Sequence, residues 1–352
     1  MALEDRVRDL AGEVRPLDEG AVAEARERHL TLTKPPGSLG RLEELGARLS
    51  GMAGEVPPPV TANPAVVICA GDHGVLARGV SPWPREVTAA MVENFCAGGA
   101  AANVIARTVG ARVSVLDVGV AAELEQRPLL RTAKKRPGTD DLSSGPAMSR
   151  EDAAGALMSG AGIAEELIES GVDLIVTGDM GIANTTPAAA LISVFTGHPP
   201  EKTTGRGTGI NDETYELKVH IVQEALLLHE PKPDDPLGTL AAVGGLEHTA
   251  IAGIVLMCAV YGVPVVLDGV VSNSAALVAH ALAPNCSGYM IGGHLSVEPG
   301  AAVALESLGL EPVLNLGMRL GEGTGGLLAV PVIQAAARVL GEMATMEEMG
   351  IR

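Results

Sequence analysis

The sequence predicts an α/β protein: a mostly parallel sheet flanked by helices, with a small helical domain from the N- and C-terminal segments. Three observations carry this. Short apolar runs without polar alternation recur at Ala65–Ala70, Val113–Leu116, Asp173–Thr177, Val263–Leu267 and Tyr289–Ile291, as strands buried on both faces do. Each ends in a Gly- or acid-bearing turn, and helical patterns alternate with the runs, the rhythm of strands joined by crossover helices. Hydrophobic residues make up 47% of the chain but aromatics only 2%, with 44 Gly, so the core is built from Ala, Val, Leu and Ile. At 352 residues the chain has room for one large domain and a smaller one.

Taken in order, residues 1–33 place Val7, Leu10, Val14, Leu17, Val22 and Ala25 at amphipathic helical spacing. Lys34-Pro35-Pro36-Gly37 interrupts the pattern, Arg41–Leu49 resumes it, and Pro57-Pro58-Pro59 breaks it again. The first strand ends in Gly71-Asp72-His73-Gly74; Pro84 then stands at the first position of a helix running past Ala100 toward Arg107. The second strand ends in Asp117-Val118-Gly119. Ser149-Arg150-Glu151-Asp152 has the spacing of a capping box for a helix through Glu169. The third strand ends in Gly178-Asp179-Met180-Gly181, with Thr185 able to cap the next helix. Asp268-Gly269 follows the fourth, with Asn273 or Ser274 as cap, and Gly292-Gly293 follows the fifth. Pro312–Leu316 reads as a further buried strand, and a long helical pattern starts at Pro331. Val332–Met346 then packs on the N-terminal helix, giving a small helical domain of residues 1–33 and 331–352 beside a large α/β domain of residues 34–330. The strand spacing is irregular, against an eightfold barrel, and the sheet is expected to be Rossmann-like.

The formal net charge of -18 argues against a nucleic-acid binder, which needs a basic footprint. The four cysteines form no C-x-x-C pair and suggest neither a disulfide framework nor a zinc site. Residues 1–10 lack the apolar stretch of a signal peptide, and the apolar run Ile251–Val260 is too short to span a bilayer, so a cytoplasmic protein is expected.

In open parallel sheets, ligands bind beyond the carboxyl ends of the strands. Five acids fall at that edge: Asp72, Asp117, Asp179, Asp268 and Glu322. Some of them are expected to serve as caps or turn formers instead. In Leu320-Gly321-Glu322-Gly323-Thr324-Gly325-Gly326 a single carboxylate stands among four glycines. It is either a solvated loop acid or a group presented to a substrate. Gly321, Gly323 and Gly326 match G-x-G-x-x-G formally, but the chain ends before a second strand could follow, so the dinucleotide fingerprint is rejected. Gly205-Arg206-Gly207-Thr208-Gly209 offers successive N–H groups for an anion, with Lys218 as a point charge; it reads equally as a flexible surface loop. His73 and His248 show no metal-ligand spacing and are read as hydrogen-bonded structural residues.

Taken together, KPPGSLGRLEELG (34–46), GDHGV (71–75), GVSPWPREVTAAMVENF (79–95), GPAMSREDA (145–153), GDMGIANTT (178–186), GRGTG (205–209), VLDGVVSNSAAL (266–277) and RLGEGTGG (319–326) resemble the nicotinate-nucleotide–dimethylbenzimidazole phosphoribosyltransferase family of cobalamin lower-ligand assembly. The resemblance covers nearly the whole chain. It implies transfer of phosphoribose from nicotinate mononucleotide to 5,6-dimethylbenzimidazole or a related base, a homodimer, no cofactor and no metal. It places the catalytic base at Glu322 and a second base-site acid at Asp179, where the family usually has Glu. It puts the phosphate and ribose on Gly181, Gly205, Gly207, Gly209 and Lys218, and the base pocket along Ser81, Val87 and Met91. Asp179 keeps open a different base, adenine or a phenol; a non-catalytic nucleotide-binding protein is the remaining alternative.

Overall fold

The apolar runs become one sheet. In a computed structural model that describes residues 2–351, six parallel strands line up in the order β3-β2-β1-β4-β5-β6. The chain starts with helices α1 (Leu3–Glu13), α2 (Glu19–Thr31) and α3 (Arg41–Ala53). Then follow β1 (Pro64–Gly71), α4 (Glu86–Ala97), α5 (Ala101–Val109), β2 (Arg112–Gly119), β3 (Leu130–Thr132), α6 (Arg150–Glu169) and β4 (Leu174–Met180). The rest is α7 (Thr185–Thr196), α8 (Pro200–Thr203), α9 (Asp212–His229), α10 (Pro236–Val243), α11 (Leu246–Tyr261), β5 (Val265–Leu267), α12 (Val270–Leu282), β6 (Met290–Gly292), α13 (Pro299–Ser307) and α14 (Thr324–Glu342). Every residue of β1 is buried, as a central parallel strand covered on both faces must be.

The order reverses direction between β1 and β4, which pair through Cys69 and Asp179. Crevices form beyond the carboxyl ends of strands at such a reversal. Asp72 leaves β1 there and Asp179 closes β4.

Several elements differ from the sequence reading, each for a local reason. Pro16 lies in the break between α1 and α2, and Gly98-Gly99 ends α4 before α5 begins, with Gly98 in the left-handed region. Pro312–Leu316 is no strand: it is partly exposed, forms one isolated bridge from Leu314 to His294, and lies along the sheet edge through the Val313 and Leu314 N–H groups, which donate to the Gly292 and Gly293 carbonyls. Helix α14 begins at Thr324, so Pro331 sits inside it. Asn273 and Ser274 lie within α12, whose N-cap is Gly269. Thr185 does not cap α7; its hydroxyl accepts from Lys218 instead. The Ser149 capping box forms as its spacing suggests.

Two apolar clusters fill the interior. The larger spans both faces of the sheet and takes in α1 through Val7 and Leu10. The smaller joins Val22, Ala25, Leu32, Ala47 and Leu340, and so ties α2 and α3 to the last turn of α14. Helix α14 is long and apolar enough to cross a membrane, but ten of its residues, among them Leu327, Ile333 and Leu340, are buried in the protein.

Candidate active site

The site is assembled from the loops that leave β1, β4 and β5 and from the loop entering α14. Glycine dictates the last. Gly321, Glu322 and Gly323 are successively left-handed, with φ of 85°, 64° and 82°. Glycine adopts that region freely; a glutamate there carries strain of order 1 kcal/mol, which the surroundings must hold in place. They do so through Asp268, whose Oδ1 accepts from the Gly325 and Gly326 N–H groups at 2.7 and 3.0 Å and whose Oδ2 accepts from Gly323 at 3.2 Å. No side chain would fit at 326 or 323: an added Cβ would stand 2.6 Å from Val176 or from Val66. The loop is thus pressed against the sheet and pinned by a carboxylate.

Glu322 comes out of this arrangement buried and nearly bare. Among the described residues its carboxylate accepts one hydrogen bond, from the Ala102 N–H at 3.4 Å at the start of α5. Burial raises its carboxyl above the ordinary range, against the pull of the Ala102 N–H. Asp179 is buried beside the same loop, with Oδ2 accepting from the Asn184 amide at 2.8 Å. Burial, then the charges of Asp268 and Glu247, push Asp179 well above the usual carboxylate range. Burial also raises Asp268, to about 7, against the pull of its three N–H partners. The other two edge acids have backbone partners: Asp117 accepts from Gly119 and Val120, Asp72 from Ala121.

Beside these acids a cavity is lined by Ser81, Asp179, Gly181, Lys218, Ser296 and Gly321, among others. Two helices point their N-termini into it, α7 through Asn184 and Thr185 and α12 through Gly269 and Val270. Positive ends of helices favour anions. Lys218 adds an ammonium, donating to Thr185 Oγ1 at 2.7 Å and the Gly205 carbonyl at 3.1 Å. Burial lowers its pKa to about 8, with Glu298 pulling the other way. Arg206, inside the glycine run read from the sequence, and Arg319, just before the Glu322 loop, complete the wall.

Of the residues named from sequence, Ser81, Asp179, Gly181, Gly207 and Lys218 line this cavity, and Glu322 follows directly on Gly321 in its wall. Gly205 is buried beneath the loop, where an added Cβ would collide with the Glu298 carboxylate. Gly209 borders a neighbouring cavity on the far side of the loop. Val87 and Met91 are half-buried on α4, whose Thr88 hydroxyl accepts from the Ile182 N–H, so their helix supports the β4–α7 loop. Glu298 is the residue sequence reasoning missed: its Oε1 accepts from Gly207 N–H at 2.8 Å, so one donor of the expected nest is already in use. His73 and His248, far apart in sequence, converge on Glu247.

A family model described as a phosphoribosyltransferase matches residues 14–351. The chain is 54% identical over 350 residues to nicotinate-nucleotide–dimethylbenzimidazole phosphoribosyltransferase of Salinispora tropica, covering 96% of both chains. It is 51% identical over 347 residues to that of Chloroflexus aurantiacus, covering 99% of each. The chain belongs to this phosphoribosyltransferase family. Its fold matches the crystal structure of the family member from Thermus thermophilus with a TM-score of 0.91 at 47% identity, covering 96% of this chain and 99% of that one. The parallel sheet and its reversal between β1 and β4 are therefore the family's architecture, and the pinned Glu322 loop stands at its carboxyl edge.

Proposed function

We propose that this enzyme transfers the phosphoribosyl group of nicotinate mononucleotide to a nitrogen of 5,6-dimethylbenzimidazole, releasing nicotinate and α-ribazole 5'-phosphate, with Glu322 as general base. The observation that carries the reading is a buried carboxylate, Glu322, on the loop whose Leu320 and Gly321 line a cavity that also holds Lys218, Arg206 and Arg319. The phosphate lies between the N-termini of α7 and α12, against Lys218, with Arg206 and Arg319 at the rim. The bond from C1′ to the pyridinium nitrogen breaks, and its electron pair neutralises that nitrogen, so the leaving group needs no proton. One nitrogen of the benzimidazole bonds to C1′ while the other gives its N–H proton to Glu322. Attack from the face opposite the departing nicotinate gives the α product. A carboxylate raised toward neutrality by burial is a stronger base than an exposed one. Asp179, which burial pushes well above the usual carboxylate range, is the second acid that contacts the base. Ser81 lines the base side of the cavity, and Val87 and Met91 back it from α4.

The test is nicotinate release from nicotinate mononucleotide with dimethylbenzimidazole. Glu322→Gln, which keeps shape and loses basicity, is expected to lower kcat by at least about 10²-fold. An unchanged kcat removes Glu322 from the role. Release with adenine or a phenol but not with dimethylbenzimidazole moves the base preference, and Asp179, one methylene shorter than the usual Glu, is the residue to exchange. No release with any base supports the non-catalytic alternative. A homodimer is carried forward from the family resemblance, to be checked by light scattering. The helical unit of residues 1–33 and 331–352, expected from helical spacing, is proposed on the contact of Leu340 with Val22 and Ala25, while α1 packs on the main core.

A further inference from the structure

Away from the reacting atoms, three side chains meet in full burial. His73 follows the end of β1; Glu247 and His248 stand in the first turn of α11. His73 Nε2 lies 2.7 Å from Glu247 Oε1, and His248 Nδ1 lies 3.0 Å from the same oxygen. One ligand atom from each residue falls within 4.8 Å of the others. His73 Nε2 and Glu247 Oε1 share one hydrogen bond, and the remaining polar atoms of the cluster are unmatched among the described residues. His248 Nδ1 makes no hydrogen bond despite its short distance, and Glu247 Oε2 has no partner. Buried polar atoms left unpaired are destabilising.

The backbone is shaped to let these groups converge. A Cβ at Gly245 would stand 2.6 Å from His248 Nδ1, 2.8 Å from Glu247 Oε2 and 2.5 Å from His73 Cε1. A Cβ at Gly181 would lie 3.0 Å from His73 Nε2, and one at Gly71 would lie 3.0 Å from Glu247 Oε2. Three glycines from three segments thus surround one donor cluster.

The geometry points to a structural divalent-metal site of the zinc class, held by His73 Nε2, His248 Nδ1 and the Glu247 carboxylate. Two imidazole nitrogens and a carboxylate are borderline donors that favour zinc-like ions over magnesium or calcium. Neighbouring donors in a tetrahedral zinc site lie roughly 3.3 Å apart, given bonds of about 2.0–2.1 Å. The separations of 2.7 and 3.0 Å need only a small outward movement to reach that. The ion would take His248 Nδ1, one of the cluster atoms without a hydrogen bond among the described residues, and would replace the His73 Nε2–Glu247 Oε1 hydrogen bond by a bond to each of those residues. It would fasten the end of β1 to the start of α11 directly behind Gly181, in the loop that lines the anion cavity. It supplies no step in the transfer.

The experiment reads metal, not activity, so its result is independent of the proposed reaction. The full-length protein is stripped with chelator, loaded with Zn²⁺ or Co²⁺ and gel-filtered. The expected result is one ion retained per chain, a higher Tm on loading, and Co²⁺ visible bands of a tetrahedral N/O site without thiolate charge transfer. His248→Leu and Gly245→Ala are each expected to abolish retention, with Cys96→Ser leaving it intact. If either of the first two fails to fold, the Co²⁺ spectrum of the unaltered protein decides alone. Retention below about a tenth of an equivalent with no Tm shift overturns the proposal, as does retention unaffected by His248→Leu or a thiolate signature in the spectrum.

Discussion

The two glycine-rich loops, 205–209 and 321–326, look alike in sequence and behave differently. Both meet a carboxylate from elsewhere in the chain: Glu298 accepts from Gly207, and Asp268 accepts from Gly323, Gly325 and Gly326. In the first loop the acid takes one N–H, Lys218 donates to the Gly205 carbonyl, and Arg206 within the loop pairs with Asp212. In the second the acid takes three, and the loop is locked so that Glu322 is held up with one weak contact. A glycine run is therefore no anion site in itself. What matters is which carboxylate already occupies its N–H groups and which charged groups that leaves free.

The comparison is broken hardest at Asp268. Asp268→Ala leaves three buried N–H groups of the second loop without a partner. It is expected to lower stability by about 3 kcal/mol or more in denaturant unfolding, and to cut kcat by about 10²-fold by releasing Glu322. If kcat survives while stability falls, the loop does not need its pin to place Glu322. Lys218→Met tests the first loop. It removes a charge-assisted contact to phosphate, so KM for nicotinate mononucleotide should rise about tenfold with kcat little changed. The same charge gives a pH signature in the unaltered enzyme. Lys218 is lowered to about 8, so the ammonium fades above that pH and KM should climb there. A flat KM between pH 7 and 9 would remove Lys218 from the phosphate site.

The smallest expected effect concerns Asp179. Its folded carboxyl is raised above the ordinary range by burial first and by Asp268 and Glu247 next. The sign follows: the folded chain keeps a proton the unfolded chain loses. Its contribution is fully present below the ordinary Asp range and is lost as pH rises toward the raised value. Asp179→Asn keeps the neutral form at every pH. Calorimetry should show it raising Tm at pH 7 and leaving Tm at pH 4 nearly unchanged; equal shifts at both pH values would mean that Asp179 carries no raised pKa.

The central sheet was legible because burial on both faces leaves continuous apolar runs in β1, β2, β4 and β5. The short β3 was not, since Leu130-Arg131-Thr132 carries no such run and pairs only with the edge of β2. Pro312–Leu316 was misread because apolar content alone does not distinguish a strand from a covering loop; its Leu316 N–H goes to His294 Nε2 and not to a ladder. Pro331 misled in the other direction, since a proline can lie inside a helix whose first turn is held by outside contacts such as Asp268. Within the site, acids at strand ends could be found by position. Glu298 and Arg319 could not, because their positions arise from folds of the chain that bring residues 207 and 298, or 207 and 319, together.

Helix α14 connects these two scales. Its first turn is clamped by Asp268 beneath the reacting edge, and its last turn, through Leu340, lies in the small cluster with α2 and α3. Nineteen helical residues make a strut about 28 Å long. A rigid strut passes displacement from one end to the other. Loosening the far end, by exchanging Leu340 or trimming the chain after it, should therefore be felt at Glu322 as a change in turnover, although no altered atom comes near the substrate.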